Sequence, residues 1–286
     1  MKCGACVLLT LHMLFLTVLC DPLTEVKTLP GEQIVFQMIS SFAVDHDGSI
    51  FFLDPRYCSL IICDPAGRLK RRVPLTLSYP KDIQIVRDRL YILDSRHEQV
   101  SVFTKDGSHD STLELEHRLN HPSALFYDGS RLLISDYGNS RIIERSLFSE
   151  SAIELEDFSA PHSLWADSTK IVCADWRRNR IHVFDRKNTQ IPFTFGRTGL
   201  DGEGFFHIDG LVCAGGFIFV SDWGNNQLKI FTEQGKLVYA TSRKSLNLRN
   251  PSVLRYEYPY LYLLDSNNLM IRVLEVDFSE LERLRQ

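Results

Sequence analysis

Along most of the chain, short apolar runs alternate with clusters of Gly, Asn, Asp and Arg, and six of the runs end in an aspartate. They are Ile50-Phe-Phe-Leu-Asp54, Leu90-Tyr-Ile-Leu-Asp94, Leu132-Leu-Ile-Ser-Asp136, Ile171-Val-Cys-Ala-Asp175, Ile218-Phe-Val-Ser-Asp222 and Leu261-Tyr-Leu-Leu-Asp265. Successive aspartates lie 39 to 47 residues apart. Short apolar runs bounded by turn formers predict buried strands. A period of this length, holding several strands per unit, is that of a β-propeller blade.

The fifth unit shows the plan most clearly. Gly199-Leu-Asp-Gly-Glu-Gly-Phe205 is a turn-rich lead-in, Ile208 to Ala214 a first strand, and Gly215-Gly216 a tight reversal. Phe217 to Ser221 alternates into a second strand that ends at Asp222, and Trp223-Gly-Asn-Asn226 is a loop tolerant of positive φ. Gln227 to Phe231 and Lys236 to Ala240 complete a four-stranded antiparallel meander. The units are expected at about 34–74, 79–116, 121–158, 160–196, 205–241 and 250–276. The last has three evident strands, so Glu25-Val-Lys-Thr-Leu29 is expected to supply its fourth and close the ring without a free edge. The recurrent aspartates read as structural acceptors for backbone N–H groups in the following loop. Residues 279–286 form a short tail, with one or two helical turns from Phe278.

The units fill most of the 286 residues and leave no room for a second folded domain. The net charge is −4, from 36 acidic and 32 basic residues, which is not the footprint of a dedicated polyanion binder; no DNA partner is expected. Lys2 is followed by an uncharged, leucine-rich stretch to Cys20, the pattern of a secretory signal peptide cut before Asp21. The alternative is an uncleaved signal anchor, which alone would give the protein a membrane contact. The chain is therefore expected to be secreted and monomeric. Beyond residue 20 there remain Cys58, Cys63, Cys173 and Cys213. Cys58 and Cys63 flank one turn and form the candidate disulfide, whereas Cys173 and Cys213 fit buried thiols equally well.

The loop and strand that follow the aspartates read Asp136-Tyr-Gly-Asn-Ser-Arg-Ile-Ile143, Asp175-Trp-Arg-Arg-Asn-Arg-Ile-His-Val-Phe184 and Asp222-Trp-Gly-Asn-Asn-Gln-Leu228. With the Gly199–Phe205 lead-in, this Gly-Asn-Xaa-Arg/Gln-Ile/Leu pattern resembles the NHL-repeat family over about residues 31–276, with degraded first and second units. The resemblance implies an all-β, six-bladed NHL-type propeller. The Trp-Asp dipeptide of WD40 repeats occurs only reversed, as Asp175-Trp176 and Asp222-Trp223.

In a propeller, residues at the start of each first strand ring the central channel. Aligning the units gives Ser40, Lys81, Ser123, His162, Asp209 and Ser252, with Lys81, His162 and Asp209 as the chemically distinctive members. The Ala160-Pro-His-Ser-Leu164 segment resembles a motif of the peptide-amidating lyase, which implies a zinc held by ring histidines. Only His162 occupies such a place, where a catalytic zinc wants about three protein ligands, and Ca2+ prefers more carboxylates than Asp209 supplies. No metal, cofactor or catalytic residue is expected.

Arginine and aromatic residues crowd one face: Tyr137, Arg141, Trp176, Arg177, Arg178, Arg180 and Trp223. This mixture is what interface hot spots are made of. The expected function is non-enzymatic binding of a protein partner through that face. The alternatives are a cytosolic or anchored propeller that binds RNA or selects substrates for ubiquitin ligation, RNA being expected only for a cytosolic chain, and a metal-dependent lyase.

Overall fold

The computed structural model describes residues 21–30, 34–146, 149–154, 159–242 and 245–286. The expected leader, residues 1–20, lies outside them. The chain forms six four-stranded antiparallel sheets arranged as a six-bladed β-propeller. Blade 1 comprises Ser41–Val44, Ile50–Asp54, Ser59–Cys63 and Leu69–Pro74. Blade 2 comprises Pro80–Val86, Arg89–Asp94, Gln99–Thr104 and His109–Thr112, and blade 3 Ala124–Tyr127, Leu132–Asp136, Arg141–Arg145 and Glu150–Glu154. Blade 4 comprises Pro161–Ala166, Lys170–Asp175, Arg180–Asp185 and Asn188–Phe195. Blade 5 comprises Ile208–Ala214, Phe217–Asp222, Gln227–Thr232 and Leu237–Ala240. Blade 6 comprises Pro251–Glu257, Tyr260–Asp265 and Met270–Val276, with Leu23–Leu29 paired antiparallel to its third strand. The ring is thus closed by the N-terminal strand, which covers the outer edge of the third strand of the last sheet.

Each second strand is buried on both faces, which is why it reads as an unbroken apolar run. In Phe217–Asp222, Phe217 and Phe219 pack toward Leu261, Leu263 and Leu274 of blade 6. Ile218 and Val220, one step out of phase, pack toward Val172, Ala174 and Ile181 of blade 4. Similar clusters fill the gaps between blades 6 and 1, 1 and 2, 2 and 3, and 3 and 4. The core is a wheel of interblade layers, so removing a ring such as Phe219 would cost ~3–5 kcal/mol.

All six aspartates are fully buried, and each accepts from backbone N–H groups of the segment leading into its own blade. Asp136 accepts from Asn120 N at 2.7 Å, Asp175 from Ser159 N at 2.8 Å, Asp222 from Phe206 N at 2.9 Å and Asp265 from Arg249 N at 2.8 Å. Asp94 accepts from Ser78 N and Tyr79 N, and Asp54 from Gln37 N. The fourth residue after every aspartate is left-handed: Cys58, Glu98, Ser140, Asn179, Asn226 and Leu269 have φ between 43° and 56°. That turn aims the chain back into the third strand and fixes the loop face of the wheel.

Cys58 and Cys63 do not bridge. Both are free, and they sit at opposite ends of one extended strand, Ser59–Cys63. Five residues of strand separate their Cα atoms by roughly 16 Å, and a disulfide spans at most about 7 Å. On the face opposite the aspartate loops, the C-terminal helix Phe278–Arg285 is capped by Asp277. Its Phe278 ring lies against Phe217, Phe219 and Tyr256.

Candidate functional site

The innermost strands of neighbouring blades are stitched together around the channel. Ser40 Oγ donates to Pro80 O at 2.7 Å, Ser123 Oγ to Pro161 O at 2.9 Å, and Leu211 N to Ser163 Oγ at 3.1 Å. At Gly210 a Cβ would stand 2.1 Å from Ser252 O, so only glycine lets blades 5 and 6 approach this closely. These contacts make the channel mouth a rigid frame.

On the aspartate-loop face that mouth widens into a bowl of about 720 Å3 lined by all six blades. The volume falls within the ~300–1,000 Å3 common for ligand pockets. Ser40, Lys81, Ser123, His162, Asp209 and Ser252 all line it, as do Tyr137, Trp176 and Trp223 from the loops above. The ring residues and the loop aromatics therefore belong to one concavity.

Its wall over blades 3 to 5 is aromatic. Trp176 is stacked on His207, with centroids 4.2 Å apart and planes within 8°. The Tyr137 ring meets His162 edge-on at 6.5 Å, and His207 lies 6.1 Å from Trp223. His162 Nδ1 is 3.1 Å from Asp209 O and 3.3 Å from Asp209 Oδ1. A carbonyl only accepts, so Nδ1 carries the proton. Burial, reinforced by the nearby Lys81 ammonium and opposed by Asp209, pushes the His162 pKa below its ordinary value. His162 is consequently a neutral wall residue at physiological pH.

The expected face residues divide. Arg177 is exposed and holds its guanidinium 5.5 Å from the Tyr137 ring centroid; Arg180 is exposed and Arg178 half-buried at the rim. Arg141 is not a rim residue available to a ligand. Its Nε is 2.8 Å from buried Asp136, and it also donates to Arg118 O. It is the counter-ion of the blade's aspartate, as Lys229 is for Asp222 and Arg272 for Asp265. Arg141 lies directly across from Asp136 on the next strand, whereas Arg180, in the same register across from Asp175, stays exposed.

Two contributors escape motif reading. His207 reaches the wall because it takes φ 66° and its backbone N–H donates to Asn179 Oδ1 at 2.7 Å. Arg56 lines the bowl from a loop of the degraded first unit. The signal for His207 was its place just before a ring position, where His121 and Asn250 also adopt positive φ. A zinc site does not fit this ring, which offers one imidazole and one carboxylate already bonded to each other. Among the described residues no three His, Cys, Asp or Glu side chains converge on a metal position.

No protein-family profile and no curated protein matches the sequence. Solved structures do match in fold. Virginiamycin B lyase from Staphylococcus aureus is 12% identical, with a TM-score of 0.63 over 89% of this chain and 99% of that one. A protein of unknown function from Bacteroides thetaiotaomicron is 11% identical, with a TM-score of 0.68 over 89% of this chain and 75% of that one. A chain of a nidogen–laminin complex is 16% identical, with a TM-score of 0.61 over 71% of this chain and 79% of that one. At these identities the likeness establishes the fold: the chain is a six-bladed β-propeller.

Proposed function

We propose that the chain is an NHL-type propeller that acts as a secreted, non-enzymatic binding module and recognises a protein partner through its aspartate-loop face. The observation that carries this reading is the continuity of the aromatic bowl wall with the arginine rim. Trp176 sits in the bowl while Arg177, next in sequence, lies over Tyr137 and is exposed to solvent. Rigid aromatics surrounded by guanidinium groups combine large apolar contact with bidentate donors, the usual composition of interface anchors. The NHL assignment rests on the loop motifs at Asp136–Ile143, Asp175–Phe184 and Asp222–Leu228. The nidogen–laminin likeness is compatible with a binding role, and the lyase likeness supports the fold alone.

The test is capture of a partner from the medium of secreting cells by the wild-type chain and by the Trp176→Ala/Arg178→Ala double variant. Loss of the captured protein is expected, with the melting transition lowered by only about 2–4 °C. Equal capture by both would overturn the assignment of the face. RNA recognition would instead show binding that falls steeply with salt, and a lyase would show turnover abolished by His162→Asn.

A further inference from the structure

The bowl is asymmetric in charge as well as in shape. Its basic and acidic lining side chains, histidines aside, are Arg56, Lys81 and Asp209, two basic and one acidic. Asp209 lies on blade 5, close to the proton-bearing Nδ1 of His162. Lys81 stands opposite, on blade 2, and Arg56 sits at the rim on blade 1. Neither cation's side chain has a hydrogen-bond or ion-pair partner among the described residues. Elsewhere in the channel, cations are neutralised: Arg255 of blade 6 reaches across blade 1 to Asp82 of blade 2 at 2.8 Å and touches Ser41 Oγ and Ile83 O.

Along Pro80–Val86, Lys81 lines the upper bowl and Gln84 a separate lower cavity, with Asp82 between them. Along Pro251–Glu257, Ser252 is above and Arg255 below. The Arg255–Asp82 pair thus spans the channel below the bowl's lining residues. The bowl is open on one side, with a partnerless ammonium low in one wall and stacked aromatic rings in the other.

We infer that the bowl receives a protruding loop of a folded protein partner that presents an acidic side chain beside an aromatic one, the carboxylate meeting Lys81 and Arg56 and the ring packing against Trp176 and Trp223. The inference rests on the reading that this face binds a protein. A folded partner covering the arginine rim can fill the concavity only with a segment that projects from its surface. An acidic group supplies the charge that the lining lacks, and a partly desolvated ammonium–carboxylate contact gives specificity as well as attraction. The aromatic neighbour matches a wall already built from offset and stacked rings.

The test uses two disulfide-closed peptide libraries with random flanks, one with a fixed Glu-Trp pair at the apex and the other with Gln-Trp. On immobilised wild-type chain the Glu-Trp library is expected to be retained about tenfold better, a difference of ~1.4 kcal/mol. Lys81→Met should abolish that preference and Lys81→Arg should keep it; Arg56→Gln, a change at an exposed loop, should weaken it without the risk to folding. Equal retention of the two libraries overturns the inference, and so does a preference that survives Lys81→Met. Equal or better retention of linear Gln-Trp peptides ending in a free carboxylate would assign the bowl to a chain end and overturn the loop. The outcome is separable from that of the face: capture lost in the Trp176→Ala/Arg178→Ala variant while the libraries behave alike removes only the bowl's acidic ligand.

Discussion

The Trp176 indole lies flat on the His207 imidazole, 4.2 Å between centroids and 8° between planes. Trp176 is tied to blade 4, where its backbone N–H donates to Ala160 O at 3.0 Å. His207 belongs to the lead-in of blade 5 and is pinned by Asn179. The stack therefore joins two blades at the rim and fixes the indole in one orientation before any partner arrives. Such preorganisation lowers the ordering cost of binding.

Trp176→Ala is expected to weaken partner binding by at least about 2 kcal/mol, the scale of a hot spot. Because the indole is only half-buried, the loss of folding stability should stay near ~1 kcal/mol. Calorimetric titration with the captured partner and urea unfolding of the variant separate the two effects.

His162 predicts a pH dependence with a definite sign. Its folded pKa lies below 6.5, chiefly through burial, with Lys81 acting in the same direction and Asp209 opposing. As pH falls through 6.5 the unfolded chain takes up a proton that the folded chain still refuses, so stability drops; it levels off below the folded value. The difference between wild type and His162→Asn in urea midpoints from pH 7.5 to 5 isolates this contribution. An imidazole titration by NMR at or above 6.5 would refute it.

Lys229 and Asp222 form a wholly buried pair, 2.8 Å apart and both 0% exposed. The ammonium also donates to Gly204 O and sits 5.2 Å from the Phe205 ring centroid. Lys229→Met strands the carboxylate and should cost about 3–5 kcal/mol. Adding Asp222→Asn should recover part of that loss in a double-mutant cycle, whereas strictly additive costs would show that the two side chains are not coupled.

Cys58 occupies the left-handed position of its loop at φ 43°. Asparagine tolerates that conformation better, so Cys58→Asn should leave stability unchanged or raise it by up to ~1 kcal/mol. A bridged Cys58–Cys63 pair would instead lose about 2–4 kcal/mol. Thermal melts with and without reductant distinguish these results.

The wheel was legible because each buried strand carries an apolar run and each run ends in an aspartate that must find backbone donors. The bowl was legible in part, since ring positions follow from strand phase alone. Arg141 illustrates what the chain text conceals. Arginines in the aspartate loops look alike in sequence, but Arg141 turns toward a buried carboxylate while Arg177 stays over Tyr137 in solvent, and Arg180, in the register of Arg141, is exposed. The Cys58–Cys63 pairing failed for a similar reason, because close spacing in sequence is wide spacing along an extended strand. His207 depended on a positive φ stabilised by a blade 4 asparagine, a tertiary contact that no local pattern announces.

The most direct test of the central claim is hydrogen exchange on the chain alone and bound to its captured partner. Slowed amides are expected to cluster in residues 137–141, 176–180 and 223–226 together with the first residues of the inner strands. Protection confined to the opposite face, around 256–259 and the helix at 278–285, would contradict it.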